Sequence, residues 1–193
     1  MTEKRMIENE NAVTKPPRRV SRGTLIWVRD VLIAITFSLL ILLFIKPTVV
    51  REHSMENTLH PNDYVFVSKQ AYRFGEMHRG DVVVFKSDLK SEDGSTKNLI
   101  KRVIGLPGDS IEIYGGNVYL NGEKLKEDYI KDGVTNGVLE KVVVPEGRLF
   151  VMGDNRQQSK DSRDPEVGFV SEKEVLGKAF FRLYPLSNAG AIH

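Results

Sequence analysis

Ile111-Glu112-Ile113-Tyr114-Gly115-Gly116-Asn117-Val118-Tyr119-Leu120-Asn121-Gly122-Glu123-Lys124-Leu125 is the stretch that decides the fold. Two short β-type runs, Ile111 to Tyr114 and Asn117 to Leu120, are joined by Gly115-Gly116, and Asn121-Gly122 then turns the chain into Glu123 to Leu125. Two-residue Gly-Gly and Asn-Gly loops suit the primed turns whose backbone twist matches that of the flanking strands. A three-strand antiparallel meander follows.

The same signals extend on both sides, with apolar runs of four to six residues punctuated by Gly, Pro, Asn and Asp. Tyr64 to Val67 follows Pro61-Asn62-Asp63, Val82 to Phe85 follows Arg79-Gly80-Asp81, and Leu99 to Ile104 ends at Leu106-Pro107-Gly108-Asp109. Val142 to Val144, Leu149 to Met152 and Ala179 to Leu183 complete the set. Helical signals after residue 46 are confined to Ser171 to Leu176, where Ser171 is placed to cap and Glu174 to complete a capping box. The expected fold is mainly β, of antiparallel sheets preceded by one N-terminal transmembrane helix.

That helix is expected from Val31 to Ile45, an uncharged apolar run preceded by Thr24 to Val28 and separated from it only by Arg29 and Asp30. The uninterrupted run spans about 22 Å as a helix, short of a hydrocarbon core of about 30 Å. Thr24 to Ile45 spans about 33 Å, provided Arg29 and Asp30 snorkel or pair near the interface. A buried core helix should carry a polar face, and Val31 to Ile45 offers only Thr36 and Ser38. A cleaved leader should end in a small-residue site, whereas the sequence continues Lys46-Pro47-Thr48-Val49-Val50-Arg51. Residues 1 to 30 hold seven basic against four acidic side chains, so the excess positive charge of a chain with net +2 lies in the head. The positive-inside rule then gives a cytoplasmic basic tail at 1–23, an anchor at 24–46 and an extracytoplasmic β-rich body at 47–193, in a single-pass cell-membrane protein.

The chain has 193 residues, 40% hydrophobic and 28% charged, enough for one core and too polar for a polytopic membrane protein. With no Cys, disulfide frameworks, iron–sulfur clusters and thiol nucleophiles are excluded. A net charge this small implies no nucleic-acid partner.

A nucleophile must therefore be a Ser or Thr hydroxyl with a base, or a metal-bound water. The four His, at 53, 60, 78 and 193, have no zinc-type spacing, so neither a metal nor another cofactor is expected. His53 is a poor base for Ser54, because adjacent side chains of an extended segment point to opposite faces. His60 and His78 stand in polar, turn-like stretches. Lysine can serve as base when desolvation lowers its pKa. Lys101 lies on the strand face of Leu99 and Val103, where a charge is costly, while Arg102 shares the opposite face with Ile100 and Ile104. The plainer reading is an edge strand with Lys101 in solvent.

Four blocks weigh against the plainer reading: Ser54-Met55-Glu56-Asn57-Thr58-Leu59; Arg79-Gly80-Asp81-Val82-Val83-Val84-Phe85; Lys101-Arg102-Val103-Ile104-Gly105-Leu106-Pro107-Gly108-Asp109; and Gly153-Asp154-Asn155-Arg156 through Ser159, Asp161, Ser162 and Arg163. In that order, downstream of an anchor, they resemble the type I signal peptidases of bacteria in their compact single-anchor form, from roughly Leu25 to Leu186. The resemblance implies a serine endopeptidase of signal-peptidase-like β fold. It makes Ser54 the nucleophile and Lys101 the general base, with Ser159 the hydroxyl that orients the lysine. It makes Asp154, Asp161 and Arg163 the groups that hold the site together by ion pairing. Two departures stand out. Asn57 occupies the place of a proline in the family's Ser-Met-x-Pro-Thr, which predicts a looser loop, and Glu52 occupies a position where some members carry an extra oxyanion-stabilising hydroxyl.

The implied partners are signal-peptide-bearing preproteins and the lipid bilayer. Val50 and Ile100, next to the two catalytic elements, are the expected apolar lining for small residues at the first and third positions before the cut, unless both are plain core. Two rival readings are a self-cleaving Ser/Lys protease, for which Ala189-Gly190-Ala191 would be a small-x-small signal, and a membrane-tethered β domain that only binds peptides.

Overall fold

The computed structural model describes residues 22–73, 75–91 and 94–193; the expected tail up to residue 21 lies outside them. The chain divides into two units at Leu40 and Ile41. Helix α1 (Arg22–Phe44) has 23 residues, and the most apolar 18-residue window of its span Arg22–Leu42 has a mean hydropathy of 2.2; the helix is long and apolar enough to cross a membrane. Its two adjacent opposite charges pair, Arg29 donating to Asp30 Oδ1 from Nε over 3.0 Å and from a terminal nitrogen over 2.8 Å.

The helix stops at Phe44, and β1 (Ile45–Val49) takes up Ile45 and Lys46, which the hydropathy pattern had placed with the anchor. Pro47 hid this strand in the sequence. It is tolerated because β1 lies at the edge of its sheet, where a missing N–H disrupts no ladder. β2 (Tyr64–Ser68), β3 (Val82–Lys90) and β4 (Thr96–Gly105) follow. The meander appears as β5 (Ser110–Tyr114), β6 (Asn117–Leu120) and β7 (Glu123–Lys124), with positive φ at both residues of each turn: 56° and 79° at Gly115 and Gly116, 54° and 87° at Asn121 and Gly122. The remaining strands are β8 (Leu139–Val143), β9 (Arg148–Met152), β10 (Val170–Ser171), β11 (Val175–Tyr184) and β12 (Gly190–Ala191).

All pairings among the described strands are antiparallel, in two sheets ordered β1-β2-β11-β3-β4-β9-β10, with β12 on β11, and β7-β6-β5-β8. The helix expected over Ser171 to Leu176 is a single 3₁₀ turn, Glu172–Glu174. Its capping box forms, but Val175 and Leu176 belong to β11, whose pairing with β3 outweighs a helix of one turn. Gly190 and Ala191, from the small-residue triplet, pair with Arg182 and Phe181.

The central strands of the larger sheet are buried on both faces. Val82 and Val84 of β3 pack with Val50, Met55, Leu59 and Val67, while Val83 and Phe85 pack with Leu99, Val103 and Val151. Phe150 and Met152 of β9 join Ile111, Ile113 and Val118 of the smaller sheet in a third cluster. Central strands covered on both sides read as continuous apolar runs, which is why Val82 to Phe85 shows no alternation. Lys101 and Arg102 stand in the middle of this packing, on a strand that can hold charges only if their partners are built in.

Candidate active site

The chain after β1 is tied to the body at Val50, whose N–H donates to Asp63 O over 2.9 Å. It then enters a tight turn at 53–59. Met55 and Leu59 are buried in the core, and the Leu59 N–H donates to Met55 O over 2.7 Å. Immediately before Met55, Ser54 is 5% exposed. A second turn, begun by Gly153, lies directly behind it. A Cβ at Gly153 would stand far inside contact distance of both Ser54 O and Ser159 Oγ, so only glycine lets the two turns touch. Asn155 closes the junction: its N–H donates to Ser54 O over 3.0 Å and its Nδ2 to His53 O over 3.1 Å.

Lys101 projects from β4 into this junction. Its Nζ lies 2.7 Å from Ser54 Oγ and 3.1 Å from Ile100 O, and its side chain is fully buried. Burial drives its pKa from 10.5 down to about 8, against the pull of the Glu52, Asp161 and Asp154 carboxylates and with help from Lys97. An amine of that pKa is neutral in about a tenth of molecules at pH 7, far more than an ordinary lysine, and a neutral amine at hydrogen-bond distance from a hydroxyl can take its proton. The rings of His60 and His78 are exposed and make no hydrogen bond to Ser54 among the described residues.

The expected support residues surround the pair in unequal roles. Asp161 is completely buried; its Oδ2 accepts from Gly153 N over 3.0 Å, and Arg163 donates to it from Nε over 2.8 Å and from a terminal nitrogen over 2.9 Å. Burial pushes the Asp161 carboxyl up, and the Arg163 guanidinium more than offsets this, so it stays below its ordinary pKa. Asp154 pairs with Arg102 rather than Arg163, in a bidentate fork of 2.9 and 2.7 Å, and also accepts from Thr58 Oγ1. Ser159 Oγ is buried beside Asp161 and helps hold that carboxyl low, but among the described residues it makes no hydrogen bond of good geometry, to Lys101 or to another group.

Several members of the site were not singled out from sequence. Arg102, 1% exposed, also donates to Gly80 O and lies 4.1 Å from the centre of the Tyr129 ring. Glu56 accepts from His53 Nδ1 over 2.6 Å and from Lys131 Nζ over 2.7 Å, with Asn155 Nδ2 at 3.5 Å. The Lys131 and His53 bonds hold the Glu56 carboxyl down to about 2. Glu127 forks onto Arg156, tying the 125–136 loop to the turn behind Ser54. The loop at Asn57 is thus fastened by its neighbours despite the missing proline. The available signal was Arg102 itself: an arginine on a strand face of apolar residues requires a buried acid.

A groove of about 430 Å³ opens at Ser54. Val50 and Ile100 both line it, as do Glu52, Lys97 and Asn98. Val50 is also core, at 2% exposure. No cluster of His, Cys, Asp and Glu among the described residues could hold a metal ion.

A hydroxyl, a buried amine and a groove in one place are the parts of a hydrolase, and comparison with known proteins names the kind. Residues 24–184 match the family described as signal peptidase, peptidase S26. The chain belongs to the signal peptidase family. It is 39% identical to signal peptidase I of Bacillus licheniformis over 173 residues, 83% of this chain and 89% of the relative. It is 37% identical to signal peptidase I S of Bacillus subtilis, over 86% of this chain and 92% of the relative. A crystal structure of a signal peptidase I from Enterococcus faecalis, 33% identical, aligns over 53% of this chain and 96% of that one with a TM-score of 0.44. As a member of the signal peptidase family the chain is a peptidase, and its mainly β, antiparallel body preceded by an apolar helix is the architecture expected of it.

Proposed function

We propose that this peptidase removes N-terminal signal peptides from exported preproteins, with Ser54 as nucleophile and Lys101 as general base. The contact between Lys101 Nζ and Ser54 Oγ, inside a buried setting that favours the neutral amine, is the observation that carries this reading. Neutral Lys101 takes the hydroxyl proton as Ser54 Oγ attacks the scissile carbonyl carbon. The resulting lysinium returns the proton to the departing amine, leaving an ester on Ser54. Lys101, neutral again, deprotonates the water that cleaves the ester, and Ser54 recovers its proton. The Ser54 N–H is the oxyanion donor in this scheme.

Asp161 and Arg163 hold the Gly153 turn, and Asp154 fixes the strand carrying Lys101 through Arg102. Ser159, whose buried hydroxyl is without a good partner, is the group that orients Lys101 once a peptide is bound. Val50 and Ile100 receive the small side chains before the cut.

Helix α1 anchors the chain in the cell membrane, with the basic tail before it cytoplasmic and the catalytic body, from β1 onward, extracytoplasmic. The length and hydropathy of α1 and the basic residues before it support this topology. Substrate signal segments then share the bilayer with the enzyme, which raises their effective concentration at the groove.

The test is cleavage of a signal-bearing precursor in liposomes by wild type, Ser54→Ala and Lys101→Ala, each checked for folding by thermal melt. Both variants fold and fail to cut if the reading is right; activity in folded Lys101→Ala would assign the base elsewhere.

A further inference from the structure

Two charged side chains face each other across the groove, and neither takes part in the proposed proton transfers. Glu52 precedes Ser54 by two residues on the wall that follows β1; Lys97 lies on β4, four residues before Lys101. Both line the groove, and Lys97 Nζ pairs with Glu52 Oε1. The two walls are therefore bridged twice, by Lys101 and Ser54 at the reacting end and by an ion pair further along. The side chains of the outer pair are 38% and 36% exposed, so the bridge stands at the groove's rim, within reach of solvent.

We propose that Glu52 and Lys97 form an ionic clasp over the peptide groove, which the substrate opens, and that Glu52 then takes a basic side chain of the peptide near the cut and disfavours an acidic one. This deepens the peptidase reading of Ser54 and Lys101 and rests on it.

The two halves of the clasp differ in freedom. Glu52 has a stem of two methylenes on a backbone two residues from Ser54, so its carboxylate stays near the groove when the pair opens. Lys97 has a four-carbon stem and swings its ammonium into water at little cost. An extended peptide whose scissile carbonyl sits on Ser54 runs back along the wall of Glu52 and Val50 with the residues that precede the cut. A Lys or Arg there replaces the lost Lys97 contact. A Glu or Asp meets Glu52 at close range and leaves two carboxylates unpaired.

The experiment uses the full chain in detergent and a fluorescent signal-type peptide with Ala at the first and third residues before the cut. Two peptide series carry Lys, Ser or Glu, one at the second residue before the cut and one at the fourth. In at least one series kcat/KM for the Lys peptide exceeds that for the Glu peptide by about fivefold, the discrimination that one half-exposed ion pair supplies. Glu52→Gln abolishes the preference, the double variant Glu52→Lys with Lys97→Glu reverses it, and Lys97→Met tightens binding of the Ser peptide. Equal kcat/KM across both series, or a preference that survives Glu52→Gln, overturns the clasp. Dissociation constants of the same peptides, measured by anisotropy on Ser54→Ala, separate the two readings. If Ser54→Ala still cuts, the nucleophile is wrong, and the binding preference still decides the clasp. If it is dead and binds all peptides equally, the clasp fails and the nucleophile stands.

Discussion

Asn155 clamps the backbone of Ser54: its N–H donates to Ser54 O over 3.0 Å while its side chain reaches the preceding carbonyl, His53 O, over 3.1 Å. The hydroxyl that faces Lys101 is therefore held by a residue eight strands away in sequence, through the main chain and not through the side chain that reacts. Asn155→Ala keeps the first bond and loses the second. Its stability falls by about 1 kcal/mol, the worth of one hydrogen bond, and kcat drops roughly tenfold with KM unchanged, because geometry is lost at the reacting atom. Thermal melts and steady-state kinetics on one precursor check both. A KM effect without a kcat effect would move Asn155 from positioning to peptide binding.

The pH profile follows from Lys101. The active form is the neutral amine, and burial brings its pKa to about 8 from 10.5, so kcat/KM rises with pH, with unit slope below that value, and levels above it. Stability moves the same way. Between the folded pKa of about 8 and the unfolded 10.5 the unfolded chain binds the extra proton, so raising pH through that window stabilises the fold. Below pH 8 the penalty is fully present, on the order of 3 kcal/mol. Lys101→Met, inactive, consequently melts higher than wild type at pH 7, and the gap narrows toward pH 10.

Arg102 and Asp154 form a buried pair at 1% and 0% side-chain exposure. Removing one partner strands the other: Arg102→Met or Asp154→Leu alone costs roughly 3–5 kcal/mol. The double variant recovers a substantial part of that loss, since two apolar groups leave no unpaired charge. Denaturant melts of wild type and the three variants give the coupling energy directly. Additive losses would show that the pair's other bonds, to Gly80 O and Thr58, carry the effect.

The turns and most strands were legible because Gly-Gly and Asn-Gly turns and short apolar runs are local signals. β1 was not, since its Pro47 and Lys46 suit only an edge whose identity depends on strands far away in sequence. Ser54 and Lys101 were legible through the motifs that carry them and, for Lys101, through its apolar neighbours. The pairing of Asp154 with Arg102 was hidden, because strand alternation tells which face a charge takes but not which of several carboxylates meets it. The Glu56 hub with His53, Lys131 and Asn155 joins three distant segments, and nothing in the spacing of those residues announces it.

Gly153 sets the closest approach in the site, and its substitution tests whether the two turns must touch. In Gly153→Ala the new methyl collides with Ser54 O and with Ser159 Oγ. The Ser159 hydroxyl can rotate away, but Ser159 Cβ, also inside contact distance, cannot; Ser54 O is fixed by the Asn155 N–H, and the Gly153 N–H is itself held by Asp161 over 3.0 Å. The turns must therefore separate, at about 1–3 kcal/mol for overpacking, and Ser54 Oγ moves off Lys101. Activity falls at least on the order of a hundredfold, as expected for a displacement near 1 Å at the reacting atom, while the protein still folds. Ser159→Ala introduced into Gly153→Ala removes the collision with Ser159 Oγ and leaves those with Ser54 O and Ser159 Cβ. Activity should stay lost in this double variant. Recovery of activity there would place the decisive contact at Ser159 and make the Ser54 carbonyl the more yielding partner.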